Sequence, residues 1–251
     1  MQADEQIQGV TQDPRSPGEP ASGSSAGDPV EGHTSKIVDQ SLSVLRMHAV
    51  EMAGLVIDQV ASAVRALVDR DARLARVVVS REAIVNGYDN RLDRETLEFI
   101  ALQQPVASDL RMVRAVARTG LELERVGDEA KKIARFAARV GEPGSLDPVV
   151  AVAHYLRHMA ELSVGMLRGA VRAFDETDAR LAREVLARDR ELDAEFATAL
   201  RQLMSVVMQD QHFIKATIDT VFALKGLERI GDHAKNIAEQ VLYMMGEPLH
   251  G

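Results

Sequence analysis

Two stretches of this chain place pairs of carboxylates where they could hold a cation. Leu123-Glu-Arg-Val-Gly-Asp-Glu-Ala-Lys-Lys-Ile-Ala134 recurs 104 residues later as Leu227-Glu-Arg-Ile-Gly-Asp-His-Ala-Lys-Asn-Ile-Ala238, with nine of twelve positions identical. Each copy carries two acids four apart, Glu124/Asp128 and Glu228/Asp232. On a helix that spacing stacks both side chains on one face, about one turn apart, where like charges repel. A multivalent cation would relieve the repulsion. The chain has no cysteine, so thiolate sites, disulfides and cysteine nucleophiles are excluded. An all-oxygen donor set favours a hard or borderline ion such as Mg, Mn or Fe.

The elements that position these acids are long helices. The 251 residues are 46% hydrophobic but only 4% aromatic, with no tryptophan, the composition of an α-helical bundle. Residues 1–35 read as a disordered tail. They hold half of the eight prolines (Pro14, Pro17, Pro20, Pro29) among Gly and Ser, and they lack apolar periodicity. The tail carries six acids against one base, Arg15, so most of the net charge of −8 sits there and the body is close to balanced. That charge argues against a nucleic-acid partner. No apolar run approaches eighteen residues and the N-terminus has no signal pattern, so we expect no membrane span, no secretory signal and a cytoplasmic location.

Helical periodicity predicts a first helix from Lys36 to Asp69, with Leu42, Leu45, Ala49, Met52 and Val56 on one stripe. A second runs from Asp71 to Gln103 and is broken at Gln104-Pro105. A third starts near Ser108, a favourable N-cap, and ends at Gly141-Glu-Pro-Gly144. The pattern then restarts. Asp147-Pro148 opens a fourth helix to about Phe174, Thr177 or Asp178 caps a fifth to Asp210, and a sixth runs from His212 to Met245. Arg73-Leu-Ala-Arg76 and Arg180-Leu-Ala-Arg183 match at the starts of the second and fifth helices. The expected fold is all-α, with two tandem, internally duplicated three-helix bundles over 36–141 and 146–246.

Hairpin arithmetic gives each carboxylate pair a partner. If the fifth and sixth helices turn near residue 211, Asp189 and Asp193 come level with Asp232 and Glu228. If the second and third turn near 105–106, Asp128 comes level with 82–84 and Glu124 with about 87. The second helix offers Glu82, Asn86, Asp89 and Asp93 there on one stripe. On the third helix Leu110, Val113, Ala117 and Leu121 precede Glu124 and Asp128 on an apolar stripe, placing the acids at a packed or partly packed face. The plain alternative is a solvated charged face, since single acid pairs four apart are common on long helices. Arg125 and Arg229 read as surface salt-bridge partners, His233 as a surface histidine, and Gly127 and Gly231 as marks of either close helix approach or ligand room.

The duplicated Glu-Arg-Val/Ile-Gly-Asp with Lys-x-Ile-Ala after it resembles the PhoU family of phosphate-uptake regulators. So do Gln104-Pro-Val-Ala-Ser-Asp-Leu-Arg-Met-Val113, Met52-Ala-Gly-Leu-Val56 and Arg201-Gln-Leu-Met204, and the resemblance covers about residues 33–246. It implies two tandem three-helix bundles bearing multinuclear iron or zinc clusters on surface Glu/Asp-x-x-x-Asp motifs. Glu124, Asp128, Asp189, Asp193, Glu228 and Asp232 match that ligand pattern, and Glu82, Asp89 and Asp93 match acidic positions. Asn86 stands where the family commonly has Asp. In the fifth helix Phe196 and Leu200 replace the equivalents of Asp89 and Asp93, so the two sites should differ in nuclearity. The resemblance also implies a non-enzymatic, homodimeric negative regulator of the phosphate-starvation response. Its partners would be the ATPase subunit (PstB-like) of the phosphate ABC transporter and a sensor histidine kinase (PhoR-like). The rival readings are a carboxylate-metal-dependent enzyme and a purely structural helical protein. A di-iron oxidase would need paired Glu-x-x-His, and the one such spacing, Glu247–His250, lies beyond the last helix.

Overall fold

The computed structural model describes residues 29–139 and 147–247, with side chains from Lys36 onward. Three long helices, α1 (Pro29–Val68), α2 (Ala72–Gln103) and α3 (Ala107–Ala137), fold back and forth as the first unit. A short α4 (Pro148–Ala151) leads into the second: α5 (Ala153–Glu176), α6 (Ala179–Gln209), a 3-10 turn at Gln211–Phe213, and α7 (Ile214–Met244). The described residues contain no strand. The all-α, doubly repeated architecture expected from periodicity is the one observed.

The boundaries need four corrections. The predicted tail lies outside the described residues up to position 28, but the helical backbone begins at Pro29, seven residues early. Pro29 had counted as a loop signal, yet the first helical position tolerates proline because its N–H would be unpaired there anyway. Ser108 does not cap α3. Its hydroxyl bonds to Asp109 Oδ1 at 3.3 Å, and the N-cap is Val106, which makes no side-chain bond. The predicted fourth helix is interrupted at Val152 (φ −116°, ψ 14°), and the predicted sixth begins as the 3-10 turn. Two caps hold as expected. Asp147 accepts from Val149 and Val150 N–H beside Pro148, and Asp178 accepts from the Arg180 and Leu181 amides; Asp71 caps α2 in the same way.

The two units share one apolar core. Buried Leu, Val, Ala, Ile and Met side chains from both form a single continuous cluster, because α3 packs on α7 and α1 on α5. Arg46 Nη1 donates to Asp175 O at 2.9 Å and fastens α1 to α5. Helices α3 and α7 run antiparallel: Arg111 Nε reaches Met244 O (3.4 Å) at one end and Arg229 Nη1 meets Glu129 Oε1 (3.2 Å) towards the other. The α2/α3 and α6/α7 tips therefore lie at opposite ends of the molecule, while the two motif copies face each other along the central seam.

Candidate functional site

In each unit the middle of a helix hairpin carries the acids, and the observed pairings reproduce the expected levels. Lys131 of α3 pairs with Glu82 of α2 and lies 3.7 Å from Asp128 Oδ1. A Cβ on Gly127 would meet Val85 Cγ1 at 3.2 Å, and one on Gly120 would lie 3.8 Å from Asp89 Oδ1. In the second unit Lys235 Nζ pairs with Asp189 Oδ2 at 2.7 Å. Gly231 packs directly against Leu192, one residue before Asp193.

The electrostatics show which carboxylates share a field. Burial, then the Asp93 charge, pushes Asp89 above the usual carboxylate range. Burial, then Asp128 and Asp89, does the same to Glu124. In the second unit Asp193 is raised by burial, Asp189 and Glu228, and Asp232 by burial, Glu228 and Asp189. Asp89, Asp93, Glu124 and Asp128 thus act as one group, and Asp189, Asp193, Glu228 and Asp232 as the other. Glu82 stands at the edge of the first group, held by Lys131. Asn86 is half-buried between Glu82 and Asp89, and its backbone carbonyl accepts from Asn90 Nδ2 at 2.7 Å.

Both groups carry an internal counter-charge. Lys131 serves the first, and Lys225 (2.5 Å from Glu228 Oε1) and Lys235 serve the second. Among the described residues no three His, Asp or Glu side chains are already gathered about one point as metal ligands would be. A divalent ion would have to draw the carboxylates together and loosen a lysine. The second group has a free valence for this, since Glu228 Oε2 is buried without a hydrogen-bond partner. In donor chemistry, though not in the arrangement they hold here, the residues suit a hard cation.

The apolar stripe on α3 is only partly packed. Val113 is buried, Leu110 is 46% exposed, and Ala117 and Leu121 lie between. The acids therefore sit on the shoulder of the helix rather than in its core. Gly127 and Gly231 are settled as close-approach positions, α2 against α3 and α6 against α7.

One constellation escaped the sequence reading. His233, expected at the surface, is half-buried at the α3–α7 seam, where its Nδ1 lies 2.7 Å from Glu122 Oε2. Asn236 Nδ2 donates to the same oxygen at 3.1 Å. Burial raises the Glu122 carboxyl, but the His233 and Asn236 bonds outweigh it and hold the group below its ordinary range. Arg229 is an inter-unit ion-pair partner, bound to Glu129 together with Lys132 (2.9 Å), and Arg125 pairs locally with Glu122 at 3.5 Å. The signal was available: Glu129/His233 and Lys132/Asn236 are two of the three positions at which the motif copies differ.

With this geometry in place, comparison with known proteins is decisive. The PhoU domain model matches twice, over residues 49–137 and 156–241. The chain belongs to the PhoU domain family. The phosphate-specific transport system accessory protein PhoU homolog of Pseudomonas putida is 39% identical over 213 residues, covering 85% of this chain and 82% of that protein. The Pseudomonas aeruginosa homolog is 39% identical over 218 residues, covering 87% and 89%. The crystal structure of PhoU from Pseudomonas aeruginosa superposes with a TM-score of 0.76 at 38% identity, over 83% of this chain and 98% of that one. A PhoU structure from Streptococcus pneumoniae gives the same TM-score at 24% identity, over 85% and 100%, and speaks to the fold alone. Among the described residues no helix is long and apolar enough to cross a membrane.

Proposed function

We propose that this protein is a non-enzymatic, cytoplasmic regulator of phosphate uptake that holds the phosphate-starvation response off when phosphate is plentiful. It would do so as a homodimeric adaptor between the ATPase subunit of a phosphate ABC transporter and a membrane sensor histidine kinase. The observation that carries the reading is the PhoU domain matched in both halves, in a chain whose relatives are phosphate-specific transport system accessory proteins. Its surface suits docking. Both hairpin tips expose apolar side chains, Leu97, Leu102 and Val106 at one end and Met208, Ile214 and Phe222 at the other, beyond what a lone bundle needs.

The carboxylate groups are the proposed metal centres. Glu124, Asp128, Asp89 and Asp93, with Glu82 at the edge, would take one site, and Asp189, Asp193, Glu228 and Asp232 the other. Iron or zinc would suit the family resemblance, and Mg or Mn the all-oxygen donors. Asn86 supplies a neutral amide in the first site and makes it the weaker. A bound ion would neutralise repelling carboxylates and brace each hairpin at its middle.

Two measurements test this. Pull-downs from cells with the tagged transporter ATPase and sensor kinase should retain the protein, and binding to neither overturns the adaptor reading. Metal analysis of the untagged protein should show lower content in Asp128→Asn plus Asp232→Asn, and unchanged content overturns the ligand assignment.

A further inference from the structure

The central seam is not symmetric. At the end where the C-terminal turns of α3 meet the N-terminal half of α7, it opens into a cleft of about 290 Å³. Five cations line it: Lys132, Arg135 and Arg139 from α3, Lys225 and Arg229 from α7. Among the described residues two acids line it, Glu129 and Asp219. Glu129 is already engaged by Lys132 and Arg229, and Lys225 by Glu228. Among the described residues Arg135 and Arg139 form no ion pair or hydrogen bond through their guanidinium groups, and both are exposed. The wall between the charges is apolar, with Ile133, Phe136 and Ala223 in the cleft and Phe222, 70% exposed, at its rim.

The duplication supplies a built-in comparison. At the constant offset of 104 residues, Lys132, Arg135 and Arg139 correspond to Asn236, Glu239 and Tyr243, so the three cations have no counterparts on α7. Gly226 corresponds to Glu122. Glu122 is buried and bonded to His233 and Asn236. At Gly226 no side chain projects, and a Cβ there would stand 3.3 Å from Ile133 Cδ1 and 3.6 Å from Glu129 Oε2, so α3 and α7 approach closely beside the cleft. Cation attraction to the helix C-terminus accounts for a basic residue in the last turn of α3. It does not account for the cleft, nor for the absence of these cations from the matching turn of α7.

We infer that this cleft binds a small organic phosphate, with Arg135 and Arg139 on the phosphoryl oxygens and the Phe222–Phe136 wall against a flat apolar moiety, as in a nucleoside diphosphate. Guanidinium groups without a protein carboxylate are suited to bidentate contact with phosphate oxygens. The volume exceeds what a bare phosphate ion fills and approaches that of small-ligand pockets. The site adjoins the second carboxylate group through Lys225, which pairs with Glu228, but it does not rest on that group binding metal.

The test is isothermal titration of the full chain with ADP and, separately, with inorganic phosphate, both in EDTA so that no divalent ion bridges phosphate to the acidic groups. Saturable ADP binding should weaken at least about tenfold in Arg135→Ala plus Arg139→Ala, given the strength of charge-assisted hydrogen bonds. It should persist in Arg118→Ala, which removes an exposed arginine at the opposite end of the seam. Phe222→Ala should weaken ADP but not inorganic phosphate. If inorganic phosphate competes with ADP at comparable affinity, the organic moiety is not read and the assignment is overturned in favour of the free ion. No saturable ADP binding, or equal binding by the Arg135/Arg139 and Arg118 variants, overturns it outright. Circular dichroism of the double variant, altered only at exposed side chains, checks that a loss of binding is not a loss of fold.

Discussion

The two glycines of the duplicated motif should respond in opposite directions to the same substitution. Gly127 and Gly231 occupy identical positions in the repeat, and in both a helix-interior glycine gives up about 1 kcal/mol relative to alanine. A Cβ at Gly127 would stand 3.2 Å from Val85 Cγ1, tight enough to shift that methyl by a few tenths of an ångström. The propensity gain then prevails, and Gly127→Ala should be neutral to stabilising by up to about 1 kcal/mol. A Cβ at Gly231 would collide with Leu192 Cδ2, with Met166 Cε close behind. Leu192 is 1% exposed and Met166 fully buried, so neither can swing into solvent. Overpacking of this kind costs about 1–3 kcal/mol, which after the propensity gain leaves Gly231→Ala destabilised by roughly 0–2 kcal/mol. The pair should therefore differ by about 1–3 kcal/mol in urea unfolding, or several degrees in Tm at roughly 2–4 °C per kcal/mol for a chain of this size. Placing Leu192→Val in the Gly231→Ala background removes the colliding methyl. The double-mutant cycle should then show favourable coupling of at least about 0.5 kcal/mol. If Gly231→Ala proved as stable as Gly127→Ala, α6 and α7 would not be held apart by Leu192 and the close-approach account of the motif would fail.

Two further outcomes follow from the polar contacts. His233→Ala removes one of two strong bonds to the buried Glu122 carboxylate and should destabilise the protein by about 1–2 kcal/mol, at the low end for bonds to a charged group because Asn236 remains. A thermal melt matching the parent would place His233 at the surface after all. Asp71 and Asp178, the duplicated N-caps of α2 and α6, are held below the ordinary carboxylate value chiefly by the backbone amides of Leu74 and Leu181. Since the folded value is the depressed one, their stabilisation is fully present above the unfolded value near 3.8 and is lost as pH falls through the folded values. The pH dependence of the unfolding midpoint below about pH 4 should flatten in Asp71→Ala plus Asp178→Ala. An unchanged acid slope would mean that other carboxylates carry it.

How much of this molecule was legible in advance depended on whether the relevant contact was local in sequence. The hairpin levels were. Two antiparallel helices of constant rise place Lys131 beside Glu82 and Lys235 beside Asp189 once the turn is located, and prolines and N-caps located the turns. The glycines were half legible, since their recurrence marked a constraint but only Leu192 and Val85 reveal that it is packing. The seam was not legible. Which face of α3 meets α7 depends on how two units dock, and no intra-hairpin periodicity encodes that. Each unit taken alone points His233 outward, whereas α3 of the first unit half-buries it against Glu122.

The differences between the repeats held that information. Position 233 faces Glu122 across the seam, so a second copy of the motif's glutamate at 233 would set two like charges together. The copies differ at these seam positions: Glu129 against His233, Lys132 against Asn236, and Glu122 against Gly226. Towards one end of the seam Glu122 is bonded to His233 and Asn236, and at the other, among the described residues, Arg135 and Arg139 form no ion pair. The carboxylates facing the hairpins, by contrast, are identical in the two motif copies. On the docking face Arg125/Arg229 and Ile133/Ile237 are identical while 122/226, 129/233 and 132/236 differ, and the cleft beside Arg135 and Arg139 lies where those differing faces meet.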